Sequence, residues 1–458
     1  MRLANLIGPD LKDTLREAPG SIREAFDELH PEDVAELVSD LEIEDAVALL
    51  RALPPDDAAD VIGRLGGEHQ VKVFESVGSG PAVAILREMA PDDRVDLLQS
   101  LPEELAATLI AHLDKAEPEA AEEVRELRIW GEDTAGGLMT LDYVVLPPET
   151  KVWQAIEELR RIARERDAET IYSIYVCGFG EKLLGVVSLR DLILSDPGQT
   201  LADVMTEQVV RVSPTDDQEV VAHVMQRYDL GTVPVTDEHG RMLGIVTVDD
   251  VVDVVVEEAT EDAHMMGGVV PLEDAYFSTG VAQFIAKRAP WLVVLFLGQF
   301  LTATVMESNR AAIEAVLELA VFIPLIISAG GNAGSQSSSL IIRALAVGEV
   351  RPGDWWRVTA RELLTGIALG LILGAVGFAR AYFSGGTVQP IQISMAVGAS
   401  VVAVVSLGTV VGSLLPLAIK RLGLDPAVSS TPFIASLVDV IGLLVYFAIA
   451  RLVLTLVF

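Results

Sequence analysis

Asp439 lies in the stretch 431 to 447, Thr-Pro-Phe-Ile-Ala-Ser-Leu-Val-Asp-Val-Ile-Gly-Leu-Leu-Val-Tyr-Phe, and is the only formally charged side chain there before Arg451. With its continuation to Phe458 the stretch is long enough to cross a bilayer. A carboxylate at that depth costs at least about 2.5 kcal/mol on insertion scales, so it is rare unless it faces water, a cation or a partner. A second polar set, Asn332 and Gln336, falls one helical turn apart in another apolar segment and offers amide oxygens suited to a pore. A third is the acidic row Asp249, Asp250, Asp253, Glu257, Glu258, Glu261 and Asp262. On a helix, Asp250, Asp253, Glu257 and Glu261 follow one another at three- or four-residue steps, so like charges crowd one side and repel. The row is either a solvated face or a cation-dependent one. The second reading is preferred, because an uncompensated row of acids destabilises its own helix.

Composition shows which elements must carry these groups. The chain has 458 residues, 51% of them hydrophobic, too long for one domain and too apolar for an ordinary soluble protein. Residues 1–280 hold 22 basic and 59 acidic side chains, whereas 281–458 hold 11 and 8, so net charges of −37 and +3 divide a very acidic soluble half from a membrane half. Such acidity excludes nucleic acid and anionic lipid surfaces as partners of the soluble half and makes inorganic cations its natural counterpart. Cys177 is the only cysteine, which rules out an intrachain disulfide, and its place in the run Ile-Tyr-Ser-Ile-Tyr-Val-Cys predicts a buried core thiol. The first ten residues lack the apolar core of a signal peptide, so the soluble half is expected in the cytoplasm. Six histidines, one cysteine and no recognisable nucleophile or phosphate-loop motif argue against an enzyme.

Residues 21 to about 130 read as short amphipathic helices with a repeated start: Leu-His-Pro-Glu-Asp at 29, Leu-Pro-Pro-Asp-Asp at 53, Met-Ala-Pro-Asp-Asp at 89 and Leu-Pro-Glu-Glu at 101. Proline suits the first helical turn and acids suit the positive end of the helix dipole, so stacked hairpins in a small superhelix are expected. From about 136 to 256 strands alternate with helices, twice. Gly-Leu-Met-Thr at 137, Val-Val-Leu-Pro at 144 and Gly-Val-Val-Ser-Leu-Arg-Asp at 185 return as Asp-Val-Met-Thr at 203, Val-Arg-Val-Ser-Pro at 210 and Gly-Ile-Val-Thr-Val-Asp-Asp at 244. The stretch from 249 to about 284 is expected to be one connecting helix. Five apolar segments follow, near 289–306, 317–345, 360–384, 391–419 and 431–457, the second interrupted by the polar run 328–339. The serines and glycines of that run suit close helix packing. Lys287, Arg288, Arg343, Arg351, Arg357, Arg361, Lys420 and Arg421 fall on the side of the soluble half, against Arg310, Arg380 and Arg451 opposite, which places the N-terminus inside and the C-terminus outside. Arg451 is expected to snorkel to the outer interface.

The duplicated segment resembles a tandem pair of cystathionine-β-synthase-type (CBS) domains. In that family Ser188 with Asp191, Arg190 between them, and Thr247 with Asp250 occupy positions that often face an adenine nucleotide; a purely structural pair stays open. With Pro-Leu-Ile-Ile-Ser-Ala-Gly-Gly-Asn-Ala-Gly-Ser-Gln-Ser-Ser from 324 and Pro-Phe-Ile-Ala-Ser-Leu-Val-Asp from 432, the whole chain resembles the MgtE-type magnesium channels. The resemblance implies a multidomain fold: an all-α superhelical N-terminal domain (1–130), an α/β tandem CBS pair (131–200 and 201–256), an acidic connecting or plug helix (249–284) and a five-helix α transmembrane domain (285–458). It implies a homodimer in the cell membrane with an axial pore, in which Asp439 is the pore carboxylate, Ala435 lies one turn before it and Asn332 beside it. It also implies cytoplasmic Mg²⁺ ligands at Asp60, Asp92, Asp96, Asp217, Glu219, Asp229, Asp250, Asp253, Glu258, Glu261, Asp262 and Asp425, and ATP at the CBS pair. A slip of one residue in the helical repeats would exchange Asp92 for Asp93. Two unit charges about 4 Å apart repel by roughly 4 kcal/mol at an effective dielectric near 20. Mg²⁺ between such acids is therefore expected to draw the soluble domains together and close the pore. The rival readings are a membrane-anchored CBS nucleotide sensor and a carrier for other divalent cations such as Co²⁺.

Overall fold

The computed structural model describes residues 29–165, 172–272, 276, 279–310, 313, 316, 318–384 and 390–455. The expected helical start at 21–28 lies outside them. The chain divides into two compact units, 1–256 and 257–458.

Among the described residues, the first unit begins with eight short helices: α1 (Pro31–Asp40), α2 (Ile43–Ala52), α3 (Pro55–Gly63), α4 (Gly67–Val77), α5 (Ser79–Glu88), α6 (Pro91–Ser100), α7 (Glu103–Ala116) and α8 (Pro118–Leu127). The repeated Pro-acid signal marks helix starts as expected: proline occupies the first turn of α1, α3 and α6, each with two acids behind it. α1 packs on α3, α3 on α5 and α5 on α7, the pattern of a stacked superhelix. Each helix buries a stripe of three to five residues, such as Val34, Ala35, Leu37 and Val38 of α1. Arg94 of α6 is the buried exception, its charge met by Glu123 at 2.9 Å and by the carbonyls of Leu86 (2.6 Å) and Met89 (2.7 Å).

The CBS repeats follow. In the first, β1 (Val144–Leu146) runs parallel to β2 (Ser173–Cys177), which pairs antiparallel with β3 (Leu183–Ser188). α9 (Val152–Glu165) connects β1 to β2, and α10 (Leu189–Leu194) and α11 (Leu201–Val204) follow β3. The second repeat has the same order: α12 (Gln218–Tyr228), β4 (Thr232–Thr236) and β5 (Met242–Thr247), with Val212 bridging Val235 in parallel where β1 stands in the first. The two hairpin tips bond each other, Leu183 N–H to Gly240 O at 3.0 Å and Met242 N–H to Glu181 O at 3.1 Å. Cys177 is a buried thiol, as predicted, pushed up to about 11 by burial and Glu181.

α13 (Val248–Met266) carries the acidic row across the division between the units. The run Val-Val-Asp-Val-Val-Val, strand-like by propensity, is helical because Val251 and Val254, three residues apart, both enter the core of the first unit. The single connecting helix expected over 249–284 is corrected here. α13 stops at Met266, where Gly267 and Gly268 follow and Gly268 has a positive φ of 72°, and a new helix begins at Val281.

Among the described residues, the second unit contains five helices long and apolar enough to cross a membrane: α14 (Val281–Ser308), α15 (Glu318–Ala346), α16 (Trp355–Tyr382), α17 (Pro390–Arg421) and α18 (Thr431–Thr455). The polar run 328–339 does not break its helix, and α15 is continuous through it. Glycine permits this packing: a Cβ on Gly408 of α17 would lie 2.5 Å from the Gly330 carbonyl of α15. Ser337 Oγ donates to Glu362 of α16 at 2.6 Å and fixes a third helix. Arg451, expected to reach only the interface, donates to Asn309 Oδ1 at 2.7 Å. α14 has no buried residue and packs mainly on α18.

Candidate cation sites

Asp439 sits two turns into α18, half-buried, with Ala435 one turn before it. What faces it from α15 is Gly331, where a Cβ would stand 3.5 Å from both Ala435 Cβ and Asp439 Oδ1. The missing side chain leaves the carboxylate accessible beside the helix backbone. Asn332, expected beside Asp439, turns elsewhere. Its amide donates to Ser328 Oγ at 3.3 Å, and it lines a cavity of about 440 Å³ with Gln336 and apolar residues of α16 and α17. Gln336 also lines an open groove of about 690 Å³ between α15 and α18, together with Ser335, Ser339, Thr431 and Ala435. The structure therefore brings Ala435 and Gly331 to Asp439 and places Asn332 and Gln336 along the neighbouring walls.

Sequence reasoning passed over Gln299 and Ser436. The Gln299 amide of α14 donates to Ser436 Oγ at 3.4 Å, close to the Asp439 carboxylate on the same helix as Ser436. An amide in an otherwise apolar span was the available signal.

In the first unit the acids converge on α6. Asp92 is half-buried, and its Oδ1 is shielded from solvent with no hydrogen-bond partner. Burial, and after it the carboxylates of Asp250, Asp93 and Asp96, pushes the Asp92 carboxyl well above the usual range. Asp93 keeps an exposed edge, yet its carboxyl is raised too. Burial is the largest cause, Asp60, Asp249 and Asp253 add to it, and the Arg64 guanidinium opposes it. Asp60, Asp92, Asp96, Asp250 and Asp253 thus share one electrostatic neighbourhood, and Asp93 and Asp249 belong to it as well. A shielded, unpartnered carboxylate oxygen among like charges is what a cation would satisfy. Among the described residues, no three carboxylate, histidine or cysteine side chains stand close enough to form a finished metal cage.

The remaining acids lie apart from that cluster. Asp217 caps α12 by accepting from Glu219 N–H at 2.9 Å, while Asp229 ends the same helix in a left-handed conformation (φ 51°). Eleven residues of helix separate them by roughly 16 Å, so one copy cannot direct both at one ion. Asp425 accepts from Ala427 N–H at 2.8 Å in the turn before α18. Glu258, Glu261 and Asp262 are half-buried on the second half of α13.

The nucleotide candidates match each other in geometry and differ in setting. Ser188 Oγ donates to Asp191 Oδ2 at 2.6 Å, and Thr247 Oγ1 donates to Asp250 Oδ2 at 2.6 Å. The first pair, with Arg190, is open to solvent. In the second, Thr247 is buried and Asp250 lies against Asp92.

The family model described as a divalent cation transporter, MgtE, matches residues 323–449, the MgtE intracellular N domain matches 29–133, and CBS domains match 135–197 and 201–257. A magnesium transporter MgtE of Thermus thermophilus is 40% identical over 445 residues, 97% of this chain and 98% of its own length. One of Bacillus subtilis is 33% identical over 429 residues, 93% of each chain. Among solved structures, the cytosolic domain of the Mg²⁺ channel MgtE in complex with ATP is 41% identical with a TM-score of 0.50, and covers 53% of this chain and 98% of that one. The soluble part of a magnesium transporter is 36% identical with a TM-score of 0.51, covering 54% and 96%. With helical repeats, a CBS pair and five apolar helices in the order of these relatives, the chain belongs to the MgtE family of divalent cation transporters.

Proposed function

We propose that the chain is a multi-pass membrane Mg²⁺ transporter whose acidic cytoplasmic domains regulate it, and that Mg²⁺ crosses beside Asp439. The observation that carries the reading is the single carboxylate placed against Gly331 in the membrane unit, in a chain 40% identical to a magnesium transporter. Mg²⁺ sheds water reluctantly and keeps octahedral geometry, so one or two carboxylates hold it best through its water shell. A site with so few charges attracts the ion and still releases it. The groove between α15 and α18, open on one side and lined by Leu340, Pro432 and Ala435 as well as Ser335, Gln336, Ser339 and Thr431, supports a homodimer in which a second copy closes it and supplies a second Asp439. α14, with no buried residue, leaves apolar surface for lipid or that second copy. The N-terminus is cytoplasmic and the C-terminus outside, on the distribution of Lys and Arg.

On the cytoplasmic side, Mg²⁺ is proposed to bind at the Asp92 cluster and along α13, remove the repulsion among the acids and close the pore. Asp92 Oδ1, shielded and unpartnered, supports the first of these sites. ATP is assigned to the first CBS repeat, at Ser188, Arg190 and Asp191, because that pair is open whereas the charge of Asp250 is shared with the Asp92 neighbourhood. The anchored-sensor reading gives no account of Asp439 or the polar α15.

Mg²⁺ flux into liposomes carrying purified wild-type chain or Asp439→Ala tests the pore. The expected result is loss of flux by about a hundredfold in the variant, the scale of removing a charge worth about 3 kcal/mol to a bound cation. Equal flux would reject the reading, and Co²⁺ flux in the same vesicles reports selectivity.

A further inference from the structure

We infer that Gln299 is a positioning residue for the Asp439 carboxylate, so that an amide on the first membrane helix sets how tightly the transport site holds its cation. The inference rests on the reading of Asp439 as the transport carboxylate. It starts from the sequence of α14, which is apolar through the middle of the span except for this one amide and the threonines after it.

An amide at that depth costs free energy unless its polar atoms find partners. Gln299 finds them on one helix only. Its Nε2 donates to Ser436 Oγ at 3.4 Å, which places the amide within reach of the Asp439 carboxylate, three residues further along α18. The α14 face that carries it is the face that meets α18. Two turns earlier, Trp291 Nε1 donates to Ser430 Oγ at 3.0 Å, and its ring lies 6.0 Å from that of Phe433. These contacts fix the rotation of α14, so Gln299 arrives at α18 with its amide directed at Ser436 and Asp439.

On α15 the residue beside the carboxylate is Gly331, where a built Cβ would stand 3.5 Å from Oδ1, so no side chain covers it there. Asp439 thus has the Gln299 amide near it on α14 and is open toward Gly331 on α15. A carboxylate that ligates a cation, directly or through water, generally needs a hydrogen bond from a neighbouring group to hold its orientation. Without one, the Asp439 side chain gains rotational freedom that it must give up whenever an ion arrives, and affinity falls. The amide is neutral, so it orients the acid without cancelling its charge, as a lysine at the same place would.

The test is Mg²⁺ uptake by liposomes containing the full-length chain, measured over a range of external Mg²⁺ for wild type, Gln299→Met, Ser436→Ala, the double variant and Asp439→Asn. Methionine keeps the length of glutamine and removes its N–H groups, and an apolar side chain suits a membrane helix. Gln299→Met is expected to raise the half-saturating Mg²⁺ about tenfold, close to 1.4 kcal/mol, with the plateau rate within about twofold of wild type. Half-saturation does not depend on how much protein is folded, so a packing defect alone leaves it in place. Ser436→Ala is expected to shift it about twofold, and to add nothing once Gln299 is methionine, because both act through the same amide. An unchanged half-saturation in Gln299→Met, or full additivity in the double variant, overturns the positioning role. If Asp439→Asn transports normally, the transport-site reading itself fails. If Asp439→Asn is dead and Gln299→Met is silent, only the inference about Gln299 falls.

Discussion

Asp439 and Asp92 are both half-buried carboxylates, and their surroundings differ in opposite ways. Asp439 has an amide from Gln299 on one side and a bare glycine on the other. Asp92 has an unpartnered oxygen and the charges of Asp93, Asp96 and Asp250 around it. In the membrane, where charge is costly, one acid from each copy is proposed to attract a dication and let it leave. In water the same ion has to be captured from a screened medium, and a crowd of acids that repel one another makes its arrival change shape. On this proposal, the number of carboxylates separates a place of passage from a place of measurement.

The largest effect expected from that division comes from neutralising Asp250, Asp253, Glu258, Glu261 and Asp262 together. Flux at low internal Mg²⁺ should stay near wild type, while the internal Mg²⁺ needed to suppress it rises at least about tenfold, as the loss of one or more charge-assisted contacts demands. Vesicles preloaded with graded Mg²⁺ give the measurement. Inhibition unchanged in this variant would remove the distinction between the two regions.

A packing substitution should separate the regions again, by damaging only one. A Cβ on Gly408 would come within 2.5 Å of the Gly330 carbonyl, so Gly408→Ala must push α17 from α15, at a cost of about 1–3 kcal/mol. Thermal unfolding of the membrane unit, followed by reactivity of a cysteine introduced at an apolar α15 position, should shift downward. The CBS pair should be unaffected when followed by the protection of the buried Cys177 thiol.

Much of this architecture was legible in the sequence, and the reasons are local. Proline followed by acids marks helix starts whatever the tertiary context, and eighteen or more apolar residues mark a span. Asp439 was legible because a charge in such a span has no bland explanation. The end of α13 was not, because the acidic periodicity runs to Asp262 and only the Gly267-Gly268 pair, with its left-handed φ, signals the stop. The part of Gly331 was not legible for a geometric reason. Adjacent helical residues point about 100° apart, and Gly331, with no side chain to draw attention, faces Asp439 while Asn332 lines the neighbouring wall. Gln299 was passed over because its partner lies 140 residues away, a distance that helical spacing cannot bridge.

A smaller effect, of opposite sign to the usual mutation, is expected at Asp92. Asp92→Asn removes a charge that its neighbours disfavour, so the first unit should become more stable without Mg²⁺, by on the order of 1–2 kcal/mol at neutral pH. The stabilisation that Mg²⁺ confers on the wild type should shrink in the variant. Hydrogen exchange of α6 and α8 in the full-length chain, with and without Mg²⁺, reads both terms, and a variant that exchanges faster without Mg²⁺ would contradict the crowded-acid account.

The pH dependence should give the smallest signal and the most specific one. The Asp92 and Asp93 carboxyls are raised in the folded chain, so between the ordinary carboxylate value near 3.9 and their raised values the folded state binds more protons than the unfolded one. Stability contributed by these two groups is therefore fully present below about pH 3.9 and is lost as pH rises through their folded values. Mg²⁺ and protons relieve the same repulsion, so the protection that Mg²⁺ gives to α6 should be greater near pH 7.5 than near pH 5.5. Other acids titrate over this range, which makes the informative quantity the difference between wild type and the Asp92→Asn, Asp93→Asn double variant. That difference should narrow as pH falls.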